Sequence, residues 1–157
     1  MNDHALLLHQ TRHVYRWLTS ATADVDAALA KHELGGVRAD GRSRPSIRWI
    51  VEHLLLETES TAEAVAGLPR THAEDSNLGW RALRAVWLER NAACLAALEG
   101  TTARDLDAPP AVDILPAFAD TLTDRRRWWS GHVFHMSYHL GQLGSLRAEL
   151  ELGWWQE

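Results

Sequence analysis

Residues 123–152 read TDRRRWWSGHVFHMSYHLGQLGSLRAELEL and carry the clearest structural signal in the chain. Apolar or semi-polar side chains recur there at steps of three and four residues, which is the spacing of one face of an α-helix. We therefore predict a helix from about Thr123 to about Leu152, ended by Gly153. The apolar or semi-polar stripe of this helix comprises Trp128, His132, His135, His139, Leu143, Leu146 and Leu150.

The N-terminal half of the chain contains the patterns of two further helices. Apolar residues recur at helical steps from about Asp3 to about Leu34, and Gly35-Gly36 then ends the first helix. A polar, glycine-containing loop over residues 37–44 leads to the second helix, which runs from Pro45 in its first turn to near Gly67. The apolar stripe of the second helix predicts one buried face. Glu52, Glu59 and Glu63 fall on the far side, which an amphipathic helix exposes to solvent.

The remaining segments predict a third helix and a long connection. The third helix follows the capping residue types Asp75–Asn77 and ends near Gly100. The segment from Thr101 to Asp120 contains three prolines, and a connection of that length is often functional or crosses the molecule. No alternating pattern typical of β-strands occurs. The chain is therefore predicted to be all-α: residues 1–157 form a single domain, a four-helix bundle with a long connection before the last helix.

The bulk properties of the chain exclude several classes of protein. Its 157 residues are 46% hydrophobic and 24% charged, and the net charge of −5 argues against nucleic-acid binding. The basic run Arg125–Arg127 is interpreted as a solvated first turn. No stretch approaches the ~20 apolar residues of a membrane helix, and no signal peptide is recognisable. Cys94 is the single cysteine and allows no internal disulfide, so we expect a cytoplasmic protein with Cys94 as a small core residue.

Two histidines of the last helix carry the main chemical signal. His135 and His139 are four residues apart, so both imidazoles lie on one helix face, about a turn apart, where they can share one metal ion. Gln142 follows on the same side, where it can orient a ligand. A metal site usually needs a third protein ligand, and His53 lies at the edge of the buried stripe of the second helix. Periodicity permits this partnership without establishing it.

Spacing alone leaves alternatives open for the other histidines. His9 and His13 are also four residues apart in the first predicted helix, so the pattern by itself is not specific. His132 lies one turn before His135 on the same stripe. Its position fits a metal ligand, a base beside the site or a histidine without a role in it. A feature other than spacing must distinguish among these residues.

Two longer motifs provide that feature. The string His135-Met136-Ser137-Tyr138-His139-Leu140-Gly141-Gln142 resembles the signature H-x-x-x-H-x-G-Q in the last helix of the DinB/YfiT-like superfamily. The string SIRWIVEH, which ends at His53, is similar to the second helix of that family, where the first metal ligand lies. The order and spacing of the four helices also agree. The resemblance implies a four-helix bundle that holds a divalent ion, such as zinc or nickel, on His53, His135 and His139.

The resemblance also implies a function, and it assigns no ligand role to His132. Members of the family are frequently homodimers, and some use the thiols mycothiol, bacillithiol or glutathione. Three neutral imidazoles leave a coordination position open, which is typical of a catalytic site. We therefore expect a metal-dependent thiol transferase acting on small electrophiles, with Gln142 and Tyr138 beside the metal. A hydrolase that uses metal-activated water and a non-catalytic metal-binding stress-response module remain the alternatives.

Overall fold

The computed structural model describes residues 2–32, 45–70, 78–114 and 116–153. Within these ranges the chain is helical and contains no strand, so the predicted all-α class is confirmed. No helix of the described part is long and apolar enough to cross a membrane. The five α-helices are α1 (Asp3–Ala21), α2 (Ala27–Lys31), α3 (Ile47–Ala66), α4 (Trp80–Glu99) and α5 (Arg125–Glu149).

The prediction of one continuous first helix is wrong, because the chain leaves the helical path after Ala21. Thr22 ends α1, and Asp26 begins α2, where its side chain accepts hydrogen bonds from two backbone N–H groups of the first turn. Val25 before the start of α2 and Ala30 within it are both buried. The apolar spacing therefore continues across the break, which explains why the periodicity did not reveal it.

The segment between α1 and α2 is fastened to α5 by Arg147. This arginine is buried, and its guanidinium donates to the two carboxylate oxygens of Asp24 at 2.5 and 2.8 Å. It also donates to the backbone carbonyl oxygen of Ala21 at 2.9 Å. The hydrogen bonds from Arg147 lower the pKa of Asp24. The interaction joins the end of α1 to the last turn of α5.

The ends of α3 and α5 lie close to the predicted positions. Ser46 caps α3 by accepting a hydrogen bond from the Trp49 N–H at 3.1 Å, so Pro45 precedes the helix instead of lying in its first turn. Gly67 follows α3 with a φ of 69°, a left-handed conformation that glycine adopts at little cost. The carboxylate of Asp124 caps the first turn of α5. These caps fix where the histidines fall along α3 and α5.

The four long helices are joined by their contacts in a closed ring. Both α1 and α3 pack against α4 and α5. Each long helix contributes a fully buried side chain to the core between them, and burying one large apolar side chain stabilises the fold by about 1.5–3 kcal/mol. Because α3 and α5 are neighbours in the ring, side chains on their facing surfaces can meet. The buried contributors are Leu18, Leu54, Trp87 and Leu143.

Glu59 of α3 is buried, although the helix pattern predicts that it is exposed. Glu59 is 5% exposed, and its carboxylate forms an ion pair with the guanidinium of Arg90 on α4 at 3.2 Å. A buried carboxylate requires such a partner, because removing an unpaired charge from water is costly. The predicted exposure of Glu59 is therefore wrong: the contact between α3 and α4 covers this flank of α3.

The long connection between α4 and α5 contacts α3 and α5. It contains two 3-10 turns, Asp105–Asp107 and Pro116–Phe118, and Leu106 of the first turn is fully buried. The backbone N–H of Ala111 donates to the carbonyl oxygen of Ala64 near the end of α3 at 2.9 Å. The connection thus passes over the end of α3 before it reaches α5.

Three of the sequence interpretations fall outside the described residues. They are the helix stop at Gly35-Gly36, the loop over residues 37–44 and the capping cluster Asp75–Asn77. Within the described part, α4 begins after Gly79, which supplies no side-chain cap.

Candidate metal centre

Three histidine side chains from two helices meet between α3 and α5. His53 comes from α3, and His135 and His139 come from successive turns of α5. One ring nitrogen of each lies within 4.8 Å of the other two, and the ring centroids are 4.7 to 5.0 Å apart. The structure therefore brings together the three residues that the motifs indicated, as a group that can hold a metal ion.

The nitrogen atoms that meet are the Nε2 atoms. His135 Nε2 lies 2.8 Å from His53 Nε2 and 3.0 Å from His139 Nε2. A tetrahedral ion with bonds of about 2.0–2.1 Å would set such nitrogen pairs about 3.3 Å apart. Side-chain rotations that move each nitrogen by a few tenths of an ångström would bring the observed arrangement to that geometry. The donor set therefore fits a divalent metal ion.

Gln142 orients the ring of His139. Its Oε1 lies 2.7 Å from His139 Nδ1, and because a carbonyl oxygen only accepts, Nδ1 carries the proton. His139 Nε2 is then left with the lone pair that a metal ligand needs. The Nε2 of Gln142 in turn donates to the Tyr138 hydroxyl at 2.9 Å. Gln142 and Tyr138, which the sequence indicated as companions of the metal, thus form a chain of hydrogen bonds that ends on His139.

The surroundings of the group favour neutral imidazoles. The pKa of His139 is lowered to about 4, mainly by burial and also by the neighbouring His135 and His53, while the hydrogen bond to Gln142 opposes the shift. Burial also lowers the pKa of His53, against the opposing charge of Glu57. The neutral imidazole is the form that binds metal. These two histidines therefore stay neutral, and able to bind an ion, at pH values where a free histidine is partly protonated.

The group opens toward solvent, and two aromatic side chains flank it. His139 is 3% exposed, whereas His53 and His135 are only partly buried. The Trp49 indole stacks on the His53 ring with a centroid distance of 5.2 Å and an angle of 14°. Tyr138 contacts His139 edge-on, at 5.2 Å and 72°. Sequence reasoning assigned no role to Trp49, although its position one turn before His53 could have indicated the contact.

His132 takes no part in the group and belongs to the core. It is 4% exposed, and its Nε2 lies 2.8 Å from the Tyr15 hydroxyl of α1, which also lies 3.5 Å from Cys94 Sγ. Burial lowers the pKa of His132 to about 3 and raises the pKa of the Cys94 thiol to about 11. His132 is therefore a neutral histidine, and Cys94 is the small core residue that the sequence predicted.

The comparisons with known proteins add no assignment to this geometry. No protein-family model, curated protein or solved structure matches the chain. The interpretation of the three histidines therefore depends on their convergence in space and on the motifs that contain them.

Proposed function

We propose that this chain is a divalent-metal-dependent enzyme of the DinB/YfiT-like superfamily, with zinc or nickel bound to His53, His135 and His139. Its reaction is the transfer of a low-molecular-weight thiol to a small electrophile. The observation that carries the proposal is the convergence of three imidazole nitrogens at a point accessible to solvent. The motif over residues 135–142, which resembles the last helix of that family, supports the choice of thiol chemistry.

When bound, the ion would keep its charge and an open position, and would thereby acidify a thiol that reaches it. The chain's own residues hold the surrounding groups in place. Gln142 fixes the tautomer of His139, and the Tyr138 hydroxyl, which accepts from Gln142, keeps its own proton available for a bound ligand. In the transfer, sulfur forms a bond to the electrophilic carbon, the leaving group departs from that carbon and the thiol proton passes to solvent.

The proposal is tested by following thiol conjugation with a chlorodinitrobenzene as the electrophile. Metal-free protein is loaded with zinc or with nickel, and mycothiol, bacillithiol and glutathione are supplied separately. We expect at least one combination to react faster with loaded wild type than with chelator-treated protein or the His139→Ala variant. His13→Ala is the matched control, because it removes an exposed histidine of α1 and should keep the wild-type rate.

The outcomes separate the alternative functions. Metal binding without acceleration of any of the three thiols contradicts the transferase assignment. If loaded wild type then cleaves an activated ester and His139→Ala does not, the centre is a hydrolase that activates water. If neither reaction is accelerated, a non-catalytic metal-binding module is favoured.

A further inference from the structure

Several exposed apolar side chains lie near the three histidines along α3 and α5. Single exposed apolar residues are ordinary, but a cluster of them marks a site of interaction. Four of the large hydrophobic residues that are exposed in the described part lie on α3 and α5, each within four positions of a histidine of the group. They are Trp49 (47% exposed), Leu56 (49%), Phe134 (76%) and Tyr138 (50%).

Two of these side chains touch the group itself. Trp49 lies almost parallel to the His53 ring and 6.3 Å from the His139 ring. Because the indole remains 47% exposed while one face covers His53, much of its surface is available to a ligand. Tyr138 approaches from α5 and is also half exposed. The point where the three nitrogens converge is therefore flanked by one aromatic ring from each helix.

We propose that Trp49 and Tyr138 bind the planar apolar part of a small molecule whose donor atom reaches the histidine group. This inference rests on the proposed metal site and specifies its ligand class: a metal-ligating group that carries a flat aromatic ring. A flat ring that packs on the part of the indole left exposed beside His53 would lie 4.5–7 Å from the Trp49 ring centroid, the distance typical of aromatic pairs. Leu56, one turn after His53, adds apolar surface on the same side of α3.

The amount of exposed apolar surface fits a small molecule better than a protein partner. A whole aromatic side chain has about 150–250 Å² of surface, so three aromatic side chains and one leucine that are half to three-quarters exposed offer on the order of 400 Å². A stable protein interface needs about 800 Å² on each partner. The histidine group also gives a small ligand an anchor that a second copy of the chain would not need.

The test compares two ligands that differ only by an aromatic ring. Cobalt-loaded protein is titrated with imidazole and with 4-phenylimidazole, and binding is followed by the visible absorption of the ion. We expect 4-phenylimidazole to bind at least roughly tenfold more tightly. In Trp49→Ala this ratio should fall to about two- to threefold, and Trp49→Phe should restore most of it. Leu6→Ala, which shortens an exposed apolar residue of α1, is the control and should keep the wild-type ratio.

Each outcome supports or overturns the inference. All affinities are compared at saturating cobalt, so a change in metal affinity does not alter the ratio. Equal affinities for the two ligands, or a ratio unchanged in both Trp49→Ala and Tyr138→Ala, overturn it. Equal affinities together with dimerisation that Trp49→Ala weakens would assign the surface to a second copy. Protein that binds no cobalt refutes the metal site and the inference with it. A ratio that depends on Trp49 without any thiol transfer refutes only the transferase.

Discussion

Two helices of the described part carry histidine pairs with the same spacing, yet only one of these pairs belongs to a group of three that could hold a metal ion. His9 and His13 are exposed on α1, with nearly parallel rings 6.5 Å apart at 19°. His135 and His139 on α5 are 4.7 Å apart at 59°, and His53 approaches both from α3. Among the described residues, no further histidine, cysteine or carboxylate completes a group of three with the α1 pair.

The difference shows that four-residue spacing is a local property, whereas a metal centre is a tertiary one. The buried face of α1 is formed by other residues, such as Thr11, Val14 and Leu18, and its histidine pair remains exposed to solvent. On α5 the pair faces α3, which supplies the third nitrogen, and Gln142 selects the tautomer of His139. A facing helix and an orienting amide are therefore what distinguish the α5 pair.

Removing the second histidine of each pair should give the largest contrast. Sharing the ~10–16 kcal/mol of a typical four-ligand zinc site equally gives about 3 kcal/mol per ligand, or about a hundredfold in Kd. His139→Ala should weaken zinc binding by at least that factor, and His13→Ala should not change it. Competition with a chromogenic chelator measures both. Equal losses in the two variants would mean that the pairs are equivalent.

His132 provides a contrast within α5, through the dependence of stability on pH. Its folded pKa is about 3, and that of an unfolded histidine is about 6.5. Below pH 6.5 the unfolded chain binds a proton that the folded chain does not, so stability falls on acidification, by about 2 kcal/mol at pH 5 from this group. The free energy of unfolding of metal-free protein is measured with urea at pH 8 and at pH 5. In His132→Leu the decrease between these two pH values should be smaller than in wild type by about 2 kcal/mol. His13→Ala should keep the wild-type decrease. An unaltered difference in His132→Leu would contradict the burial of a neutral His132.

The orienting role of Gln142 predicts a smaller effect. Partners that orient a metal ligand typically contribute 10–100-fold to metal affinity. Since Gln142 acts on one of three ligands, we expect Gln142→Ala to weaken zinc binding roughly tenfold. Gln10→Ala on α1 is the matched control, because Gln10 is exposed beside the other pair. Isothermal titration with a competing chelator measures both, and identical Kd values for Gln142→Ala and wild type would remove Gln142 from the centre.

The smallest effect is expected from removing the α1 pair altogether. The double variant His9→Ala/His13→Ala changes exposed residues only, so its free energy of unfolding should lie within about 0.5 kcal/mol of wild type. Its metal content per chain should also be unchanged. Urea denaturation and elemental analysis check the two expectations. A loss of bound metal would show that the α1 pair contributes a ligand.

The sequence was informative where one helix determines the outcome. The periodicity of residues 128–150 predicted α5, and the predicted start near Thr123 lies within two positions of the observed start at Arg125. The break at Thr22 was missed because Val25 continues the apolar spacing beyond it. The burial of Glu59 was missed because it depends on Arg90, which lies on another helix.

The candidate site shows the same division between local and tertiary information. Spacing paired His135 with His139, but it paired His9 with His13 equally well. His53 was identified through the longer motif, because no local pattern on α3 shows which residues of α5 lie opposite it. Two contacts depend on side-chain packing and appeared only in the structure: the stacking of Trp49 on His53 and the hydrogen bond between Tyr15 and His132.

The central claim is that three imidazoles bind one divalent ion at the junction of α3 and α5. X-ray absorption of the zinc-loaded protein tests it most directly, because imidazole rings give a characteristic scattering pattern beyond the first shell. We predict three imidazole nitrogens at about 2.0–2.1 Å from the zinc, with a water oxygen in the remaining position. A first shell with two or fewer imidazoles, or one made of oxygen atoms alone, would contradict the claim.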